Sequence, residues 1–249
     1  MKLEIDWHAR FTRQASWTET LRHYLYDQVK VKQAPLVLEV GCGTGAILQD
    51  LAKFTKATTY GIDLDPSRLN QAGRHSPSCR LACGDAHRLP YPAGSFPITL
   101  CHFLLMWVSQ PVQVLREMRR VTQPGGAILV LAEPDYSQRR DFPKEMLRLG
   151  RLQTESLRNQ GADPELGGQL TDLLGMAGIQ VVETGIIKQS APEGGILAEW
   201  ESEWSLLRSD LAGTLPTEEL DRVQALDLKA WNNGQHINFI PTHYAWGVA

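Results

Sequence analysis

The segment Val37–Gly45 constrains the fold of this chain more than any other, because an apolar strand pattern leads directly into a glycine-dense turn. A helical pattern begins immediately afterwards, at Ala46. Glycine permits positive φ and lets a ligand approach the backbone closely, and a helix start offers unpaired N–H groups. The segment therefore predicts a strand–turn–helix unit that binds a nucleotide-like ligand.

The glycine spacing alone leaves two ligand classes open. Gly41-x-Gly43-x-x-Ala46 also satisfies the dinucleotide fingerprint of dehydrogenases. Asp63 ends the second predicted strand, where its carboxylate can accept hydrogen bonds from the ribose hydroxyls of either ligand. These residues indicate a ligand that contains a nucleoside, but they do not identify which of the two classes it belongs to.

Two further carboxylates narrow the choice. Glu39 lies inside the apolar strand before the turn, where a buried carboxylate is costly unless it is paired, which favours a position near a cationic ligand or the binding loop. Asp85, in Gly84-Asp85-Ala86 after the third predicted strand, can accept a hydrogen bond from an adenine amino group. An ordinary turn-forming aspartate is the alternative for Asp85.

The pattern along the chain predicts parallel strands joined by crossover helices. The predicted strands are Leu36–Val40, Thr58–Asp63, Cys79–Cys83, Ser95–His102, Ala127–Glu133, Ile179–Lys188 and a final Ile237–Trp246. The predicted helices are a leading helix Gln14–Lys32, then Ala46–Ala52, Pro111–Val121, Pro143–Asn159 and Pro164–Ala177. We expect one domain over 1–249, with an N-terminal helical segment 1–34, a cofactor-binding core 35–133, a helical segment 134–178 and a helical cap insertion 191–234.

These motifs, in their order and spacing, resemble the class I S-adenosylmethionine-dependent methyltransferases, within the methyltransferase type 11 or ubiquinone/menaquinone-biosynthesis-like group. The resemblance covers about 35–132 and rests on LEVGCGTG, Gly61-Ile62-Asp63, Gly84-Asp85-Ala86, Leu89-Pro90-Tyr91-Pro92, Ser95-Phe96 and Pro124-Gly125-Gly126. It implies an α/β, Rossmann-like seven-stranded sheet, mostly parallel with an antiparallel last strand and helices on both faces. In one departure, Pro97 replaces the usual Asp after Ser-Phe and removes a backbone donor near the start of a central strand.

The resemblance also assigns the cofactor residues. S-adenosylmethionine would lie across the carboxyl ends of the strands, with S-adenosylhomocysteine as the product. Asp63 would bind the ribose, Leu64 would pack beside the adenine, and Asp85 with Ala86 would hold it. The residues expected at or near the methionine part are Glu39, Gly41, Cys42, Gly43, Gly45 and His102.

Catalytic residues are less constrained, because a sulfonium methyl donor is already activated and a base is needed only for a protonated nucleophile. The candidates after the fourth and fifth strands are His102, Glu133, Asp135 and Tyr136, each with a purely structural alternative. Five aromatic side chains are candidates for an acceptor pocket, with core packing as the alternative: Trp17, Trp107, Trp200, Trp204 and Tyr244.

Composition limits the partners. A net charge of −3 offers no excess of positive charge for a nucleic acid, and no apolar run is long enough to span a membrane. The start of the chain lacks the pattern of a secretory signal, and the four cysteines show no zinc-like spacing, so we expect a cytoplasmic protein without a metal site. The expected acceptor is a small molecule, whereas its identity and the oligomeric state stay open. The alternatives are a dinucleotide-binding oxidoreductase and a noncatalytic cofactor-binding protein with the same fold.

Overall fold

A computed structural model describes residues 6–187 and 196–249. The strands are β1 (Leu36–Val40), β2 (Thr58–Asp63), β3 (Arg80–Cys83), β4 (Phe96–Cys101), β5 (Thr122–Pro134), β6 (Arg140–Phe142), β7 (Gln180–Ile186), β8 (Ile237–Phe239) and β9 (Thr242–Val248). The helices are α1 (Trp7–Trp17), α2 (Glu19–Gln28), α3 (Ala46–Phe54), α4 (Pro66–His75), α5 (Pro111–Val121), α6 (Met146–Asn159), α7 (Leu170–Met176), α8 (Ile196–Asp210) and α9 (Thr217–Asn232). Short 3₁₀ helices span Val31–Gln33, Leu105–Trp107, Tyr136–Gln138 and Leu166–Gln169. None of the helices in the described part of the chain combines the length and the apolar character needed to cross a membrane.

Seven strands form the main sheet, in the order β3-β2-β1-β4-β5-β9-β7. Pairing among β1 to β5 is parallel, whereas β9 runs antiparallel to both β5 and β7. Parallel neighbours require crossover connections, and α3, α4 and α5 supply three of them. The predicted seven-stranded, mostly parallel sheet with an antiparallel last strand is confirmed.

Helices cover both faces of this sheet, as predicted. Successive side chains of a strand point to opposite faces, so Val37 of β1 joins a core cluster with α2 and α3, whereas Leu38 joins one with α5 and α7. A third apolar cluster joins α6 to α8 and α9 through Met146, Trp204 and Val223. Residues 191–195 of the predicted cap, and Lys188 at the predicted end of β7, lie outside the described residues.

The prediction of one leading helix over 14–32 is wrong. Two helices occupy this region, because the chain leaves helical geometry at Thr18, with φ −104° and ψ 1°. The break is stabilised by the buried guanidinium of Arg22, which donates to the carbonyl of Ala15 and to the hydroxyl of Thr18. Asp6 caps the start of α1 by accepting from the N–H of Ala9.

The predicted final strand 237–246 is also two elements. Pro241, which cannot donate to a ladder, separates β8 from β9. β8 pairs with β6 in a separate two-stranded sheet, and only β9 joins the main sheet.

The predicted turn at Pro124-Gly125-Gly126 lies within β5 as an irregularity. Phe96 pairs with Thr122 and Ile98 with Ala127, so extra residues of β5 bulge opposite Pro97. Gly125 takes φ +75°, and a Cβ on Gly126 would lie 2.6 Å from the Pro97 carbonyl oxygen. The sheet therefore accommodates Pro97 at a point where the ladder is already interrupted.

Candidate functional site

The glycine turn folds back onto the end of β2. Gly41, Gly43 and Gly45 take φ of +74°, +50° and +86°, and the N–H groups of Gly41 and Cys42 both donate to the Ile62 carbonyl. A Cβ on Gly41 would lie 2.6 Å from Leu104 Cδ1, and one on Gly45 would lie 3.2 Å from Ala72. Gly41, Cys42 and Gly43 line a large cavity at this end of the sheet, whereas Gly45 packs behind the turn against α4.

The cavity has a volume of about 910 Å³ and extends from the glycine turn to α8 and α9, which are called the cap helices below. α1 forms part of its wall next to the turn. His8 Nδ1 lies 3.0 Å from Thr44 Oγ1, and the His8 ring stacks on His75 with centroids 3.4 Å apart. The predicted leading helix began at Gln14, so the sequence did not select the first part of α1, which contains His8.

Glu39 is buried, with only 2% of its surface exposed, and lines the cavity. Its Oε2 has no hydrogen-bond partner among the described residues. Burial, with the charge of Asp63 as the next contribution, raises the pKa of Glu39 well above its usual value. A carboxylate oxygen that is buried but faces a cavity without a partner is suited to a ligand that brings a cation or an N–H donor.

Asp63 lies at the cavity end of β2, as predicted. Its Oδ2 accepts from Gly43 N–H at 2.7 Å and its Oδ1 accepts from Asp65 N–H at 3.0 Å. Each oxygen keeps a further lone pair for a ligand hydroxyl. Asp65 caps α4 by accepting from the N–H of Ser67 at 2.8 Å.

Leu64, Asp85 and Ala86 line the next part of the cavity, beyond β2 and β3. Leu64 is 70% exposed, which is unusual for a large apolar side chain and leaves its face available to a flat ligand. Asp85 Oδ1 accepts from the His87 N–H at 2.9 Å and lies 2.7 Å from His87 Nδ1, and these hydrogen bonds lower the pKa of Asp85. His87 also lines the cavity, and its buried Nε2 has no partner within the described chain; sequence reasoning did not select it.

His102 lies on the cavity wall after β4, where Nε2 is 3.0 Å from the Thr18 hydroxyl. Burial, together with the charge of Arg22, lowers the pKa of His102 well below its usual value. The imidazole is therefore neutral and a weak base.

Glu133 and Asp135 make internal hydrogen bonds, and neither is among the residues that line the cavity. The fully buried carboxylate of Glu133 accepts from the backbone N–H groups of Leu104, Leu105 and Met106, so it positions the loop after β4. Burial raises its pKa to about 7. Asp135 accepts from Ser137 N–H at 3.0 Å and caps the 3₁₀ helix there.

Tyr136 does line the cavity, and burial raises its pKa, so its hydroxyl stays protonated. Of the five predicted aromatic residues, Trp17, Trp107 and Trp204 also line the cavity. Tyr244 instead donates to Glu183 at 2.8 Å, and Trp200 is not on the wall. The predicted aromatic pocket therefore has a different composition from the one expected.

The cap side of the cavity carries polar residues that the sequence reasoning missed. Arg10 is 8% exposed and lies over the Trp17 ring at 5.2 Å from its centroid. Arg139 donates to both oxygens of Asp141 at 2.9 Å and to Gln153 at 2.6 Å. Asp227 and His236 complete this wall.

The sequence signal that could have located Asp227 is its place on the buried stripe of α9, beside Leu220, Val223 and Ala230.

One cluster of metal-ligand types occurs among the described residues. Ligand atoms of Glu19, His23 and Asp50 lie within 4.8 Å of one another. Arg22 already pairs with Asp50 at 2.9 Å and supplies the positive charge there. We assign no metal to this cluster.

Sequence comparison relates the part of the chain that contains the glycine turn to methyltransferases. Residues 38–130 match the family model described as a methyltransferase domain. A malonyl-[acyl-carrier protein] O-methyltransferase of Halorhodospira halophila is 37% identical over 97 residues, which cover 37% of this chain and 33% of that protein. A demethylmenaquinone methyltransferase of Beutenbergia cavernae is 34% identical over 109 residues, which cover 44% of this chain and 45% of that protein. The match thus covers 33% of the length of the first curated relative and 45% of the length of the second.

A solved structure extends the comparison to the whole fold. A putative methyltransferase from an antibiotic biosynthesis pathway of Anabaena variabilis aligns with a TM-score of 0.66, covering 94% of this chain and 100% of that one, at 14% identity. This likeness concerns the fold. The predicted resemblance to methyltransferases is confirmed, and it is carried in sequence by residues 38–130, which include the glycine turn.

Proposed function

We propose that this protein transfers the methyl group of S-adenosylmethionine to a small-molecule acceptor held between the sheet and the cap helices. The observation that carries the proposal is Glu39, which lines the cavity beside the glycine turn and whose buried Oε2 has no hydrogen-bond partner in the described part of the chain. The family match over 38–130 includes this turn, Asp63 and Asp85.

The residues present suit this cofactor. Glu39 would accept from the amino group of the methionine part, while Gly41 and Gly43 allow the backbone to approach it. Asp63 would accept from the ribose hydroxyls, and the exposed face of Leu64 with the Asp85–Ala86 backbone would hold the adenine. When bound, the sulfonium supplies an activated methyl group.

The chain's own residues would then position the reactants and exclude water. α1, tied to the turn through His8 and Thr44, covers the cavity on one side, and the cap helices cover it on another. Glu133 fixes the loop that carries Leu104 and Met106 against the cavity. The neutral imidazole of His102 places no positive charge beside a cationic sulfonium.

The dinucleotide-binding oxidoreductase is the main rival. Asp63 and the glycine turn suit either ligand, but dehydrogenase sheets of the Rossmann type have the order 3-2-1-4-5-6. Here an antiparallel β9 lies between β5 and β7. The sheet order therefore favours the methyltransferase.

Calorimetric titration with S-adenosylmethionine, S-adenosylhomocysteine, NAD⁺ and NADH tests the donor assignment. We expect binding of the first two ligands only, and Glu39→Gln to weaken S-adenosylhomocysteine at least tenfold. Glu183→Gln is the matched control, because Glu183 is also a strand carboxylate but contacts Tyr24 and Tyr244 away from the cavity. Binding of NADH without S-adenosylhomocysteine would refute the proposal.

Turnover needs a second experiment, because binding alone also suits a noncatalytic protein. The wild type is incubated with labelled S-adenosylmethionine and a panel of phenols, alcohols, amines and thiols, and the products are identified by mass spectrometry. Methylated product supports the enzyme, and its absence across the panel favours the noncatalytic alternative.

A cytoplasmic location is part of the proposal and is supported by the four free cysteines.

A further inference from the structure

Asp227 is a carboxylate with no exposed surface, and three side-chain nitrogen atoms lie within hydrogen-bond distance of it. Oδ2 accepts from the indole N–H of Trp200 and that of Trp204, each at 2.7 Å, and Oδ1 lies 2.8 Å from His236 Nδ1. A buried carboxylate with this many donors is both satisfied and fixed in orientation. Two residues predicted for an aromatic pocket thus serve, through their N–H groups, to hold Asp227.

This arrangement sets the orientation of His236. Because Asp227 already accepts from two indole N–H groups, we assign it the acceptor role toward His236 as well. His236 Nδ1 is then the donor, and a neutral ring has its lone pair on Nε2. His236 lines the cavity that contains Glu39 and the glycine turn. Within residues 6–187 and 196–249, Nε2 receives no hydrogen bond.

Other carboxylates on this side of the cavity have partners of their own. Arg139 donates to both oxygens of Asp141 in β6. Glu203 accepts from Asn238 and Asp210 accepts from Gln153, each at 2.8 Å. The Trp231 ring lies 4.6 Å from the His236 ring, centroid to centroid. Asp227 is therefore the carboxylate that orients His236, because it contacts the imidazole directly.

The other candidate bases are less suitable. The pKa of His102 is lowered, so its ring is a weak base, and the hydroxyl of Tyr136 stays protonated. Glu133 and Asp135 lie off the cavity wall. His236 is thus a cavity-facing imidazole with an orienting carboxylate and a free ring nitrogen.

We propose, on the basis of the proposed function, that His236 is the general base of the reaction, oriented by Asp227, and that the acceptor is a small molecule methylated at a hydroxyl group. His236 Nε2 takes the hydroxyl proton as the acceptor oxygen forms its bond to the methyl carbon. The carbon–sulfur bond of the sulfonium donor breaks, and its electron pair stays on sulfur. The products are the methyl ether, the neutral thioether and an imidazolium, whose new charge is stabilised by the Asp227 carboxylate.

A purely structural role for the pair would instead join β8 to α9. Chemical modification tests whether the His236 ring is accessible in the folded protein, as a base must be, and turnover then separates the two roles. The wild-type complex with S-adenosylhomocysteine is treated with diethyl pyrocarbonate at pH 8, and each histidine is followed by peptide mass spectrometry. We expect modification of His236 at Nε2, at least fivefold slower in Asp227→Asn. A His236 that reacts only after unfolding would overturn the proposal.

Turnover provides the second readout. His236→Asn keeps an N–H donor for Asp227 but removes the base. On each acceptor that the wild type methylates, we expect kcat to fall at least 100-fold while the Kd of S-adenosylhomocysteine stays within twofold. His23→Asn is the matched control, because His23 pairs with Asp50 at 3.0 Å outside the cavity.

Two turnover results would overturn this inference alone: a kcat of His236→Asn within threefold of the wild type, or a methylated atom that has no proton to lose. Failure of the wild type to bind S-adenosylhomocysteine would instead refute the proposed function.

Discussion

Glu133→Gln is expected to change the pH dependence of stability. The wild-type carboxylate has no exposed surface and accepts three backbone N–H groups, two at Oε1 and one at Oε2. Burial nevertheless dominates and raises its pKa to about 7, from the usual 4.5. The folded state therefore binds the proton more tightly than the unfolded chain, so the stability that Glu133 contributes is complete at low pH and is lost as the pH rises through about 7.

The size of this change follows from the two pKa values. Integrated between pH 5 and pH 8, the linkage amounts to about 2.5 kcal/mol of unfolding free energy lost by the wild type. Glutamine has no such titration. It keeps one acceptor oxygen for Leu104 and Leu105 but turns its amide N–H toward Met106 N–H, which costs about 1–3 kcal/mol at either pH.

Urea unfolding of the wild type and Glu133→Gln at pH 5 and pH 8 measures the difference. The variant should be less stable at pH 5 and should gain about 2.5 kcal/mol relative to the wild type at pH 8. Glu165→Gln, at a surface residue paired with Arg158, corrects for the general effect of replacing a carboxylate. A free-energy difference between variant and wild type that is the same at both pH values, within about 0.5 kcal/mol, would refute the role of burial.

Two further substitutions test the cavity wall. Gly41→Ala should cost about 1–3 kcal/mol of unfolding free energy and weaken S-adenosylhomocysteine more than tenfold, because its Cβ would meet Leu104. Gly213→Ala shares the positive φ but has open space around the added Cβ, so calorimetry on both variants separates strain from contact, and equal effects would contradict the prediction. His102→Ala should lower turnover more than fivefold, because it removes the cavity side chain that forms a hydrogen bond with the Thr18 hydroxyl. Unchanged steady-state kinetics would exclude His102 from the mechanism.

The sequence predicted those parts of the fold that depend on neighbouring residues. The glycine turn, Asp63 and the order of strands and helices follow from local patterns and from the resemblance. The division at Pro241 was also readable, because proline cannot donate within a ladder, but the apolar residues on both sides obscured it. The start of α1 was not predicted, and its place on the cavity depends on contacts such as His8 with Thr44, 36 residues away.

The remaining site residues were beyond local patterns for a physical reason. Glu133 was a candidate acid or base until three backbone N–H groups 27 to 29 residues away were seen to converge on it. The orientation of Asp227 toward His236 depends on Trp200 and Trp204, which lie on another helix. Such clusters form only when the chain folds. The sequence therefore shows the individual residues but not that they contact one another.

The position of β9 has a consequence for the order of folding. β5 pairs with β9 between Ala127 and Pro134, with an irregularity between Val130 and Glu133. Val248 lies opposite Ala127 although more than 100 residues separate them. The segment that matches the methyltransferase family, 38–130, therefore ends with an apolar strand edge that only later residues cover. During synthesis, that edge stays open until β9 has left the ribosome, so segment 38–130 should need chaperone protection rather than fold independently as the chain emerges.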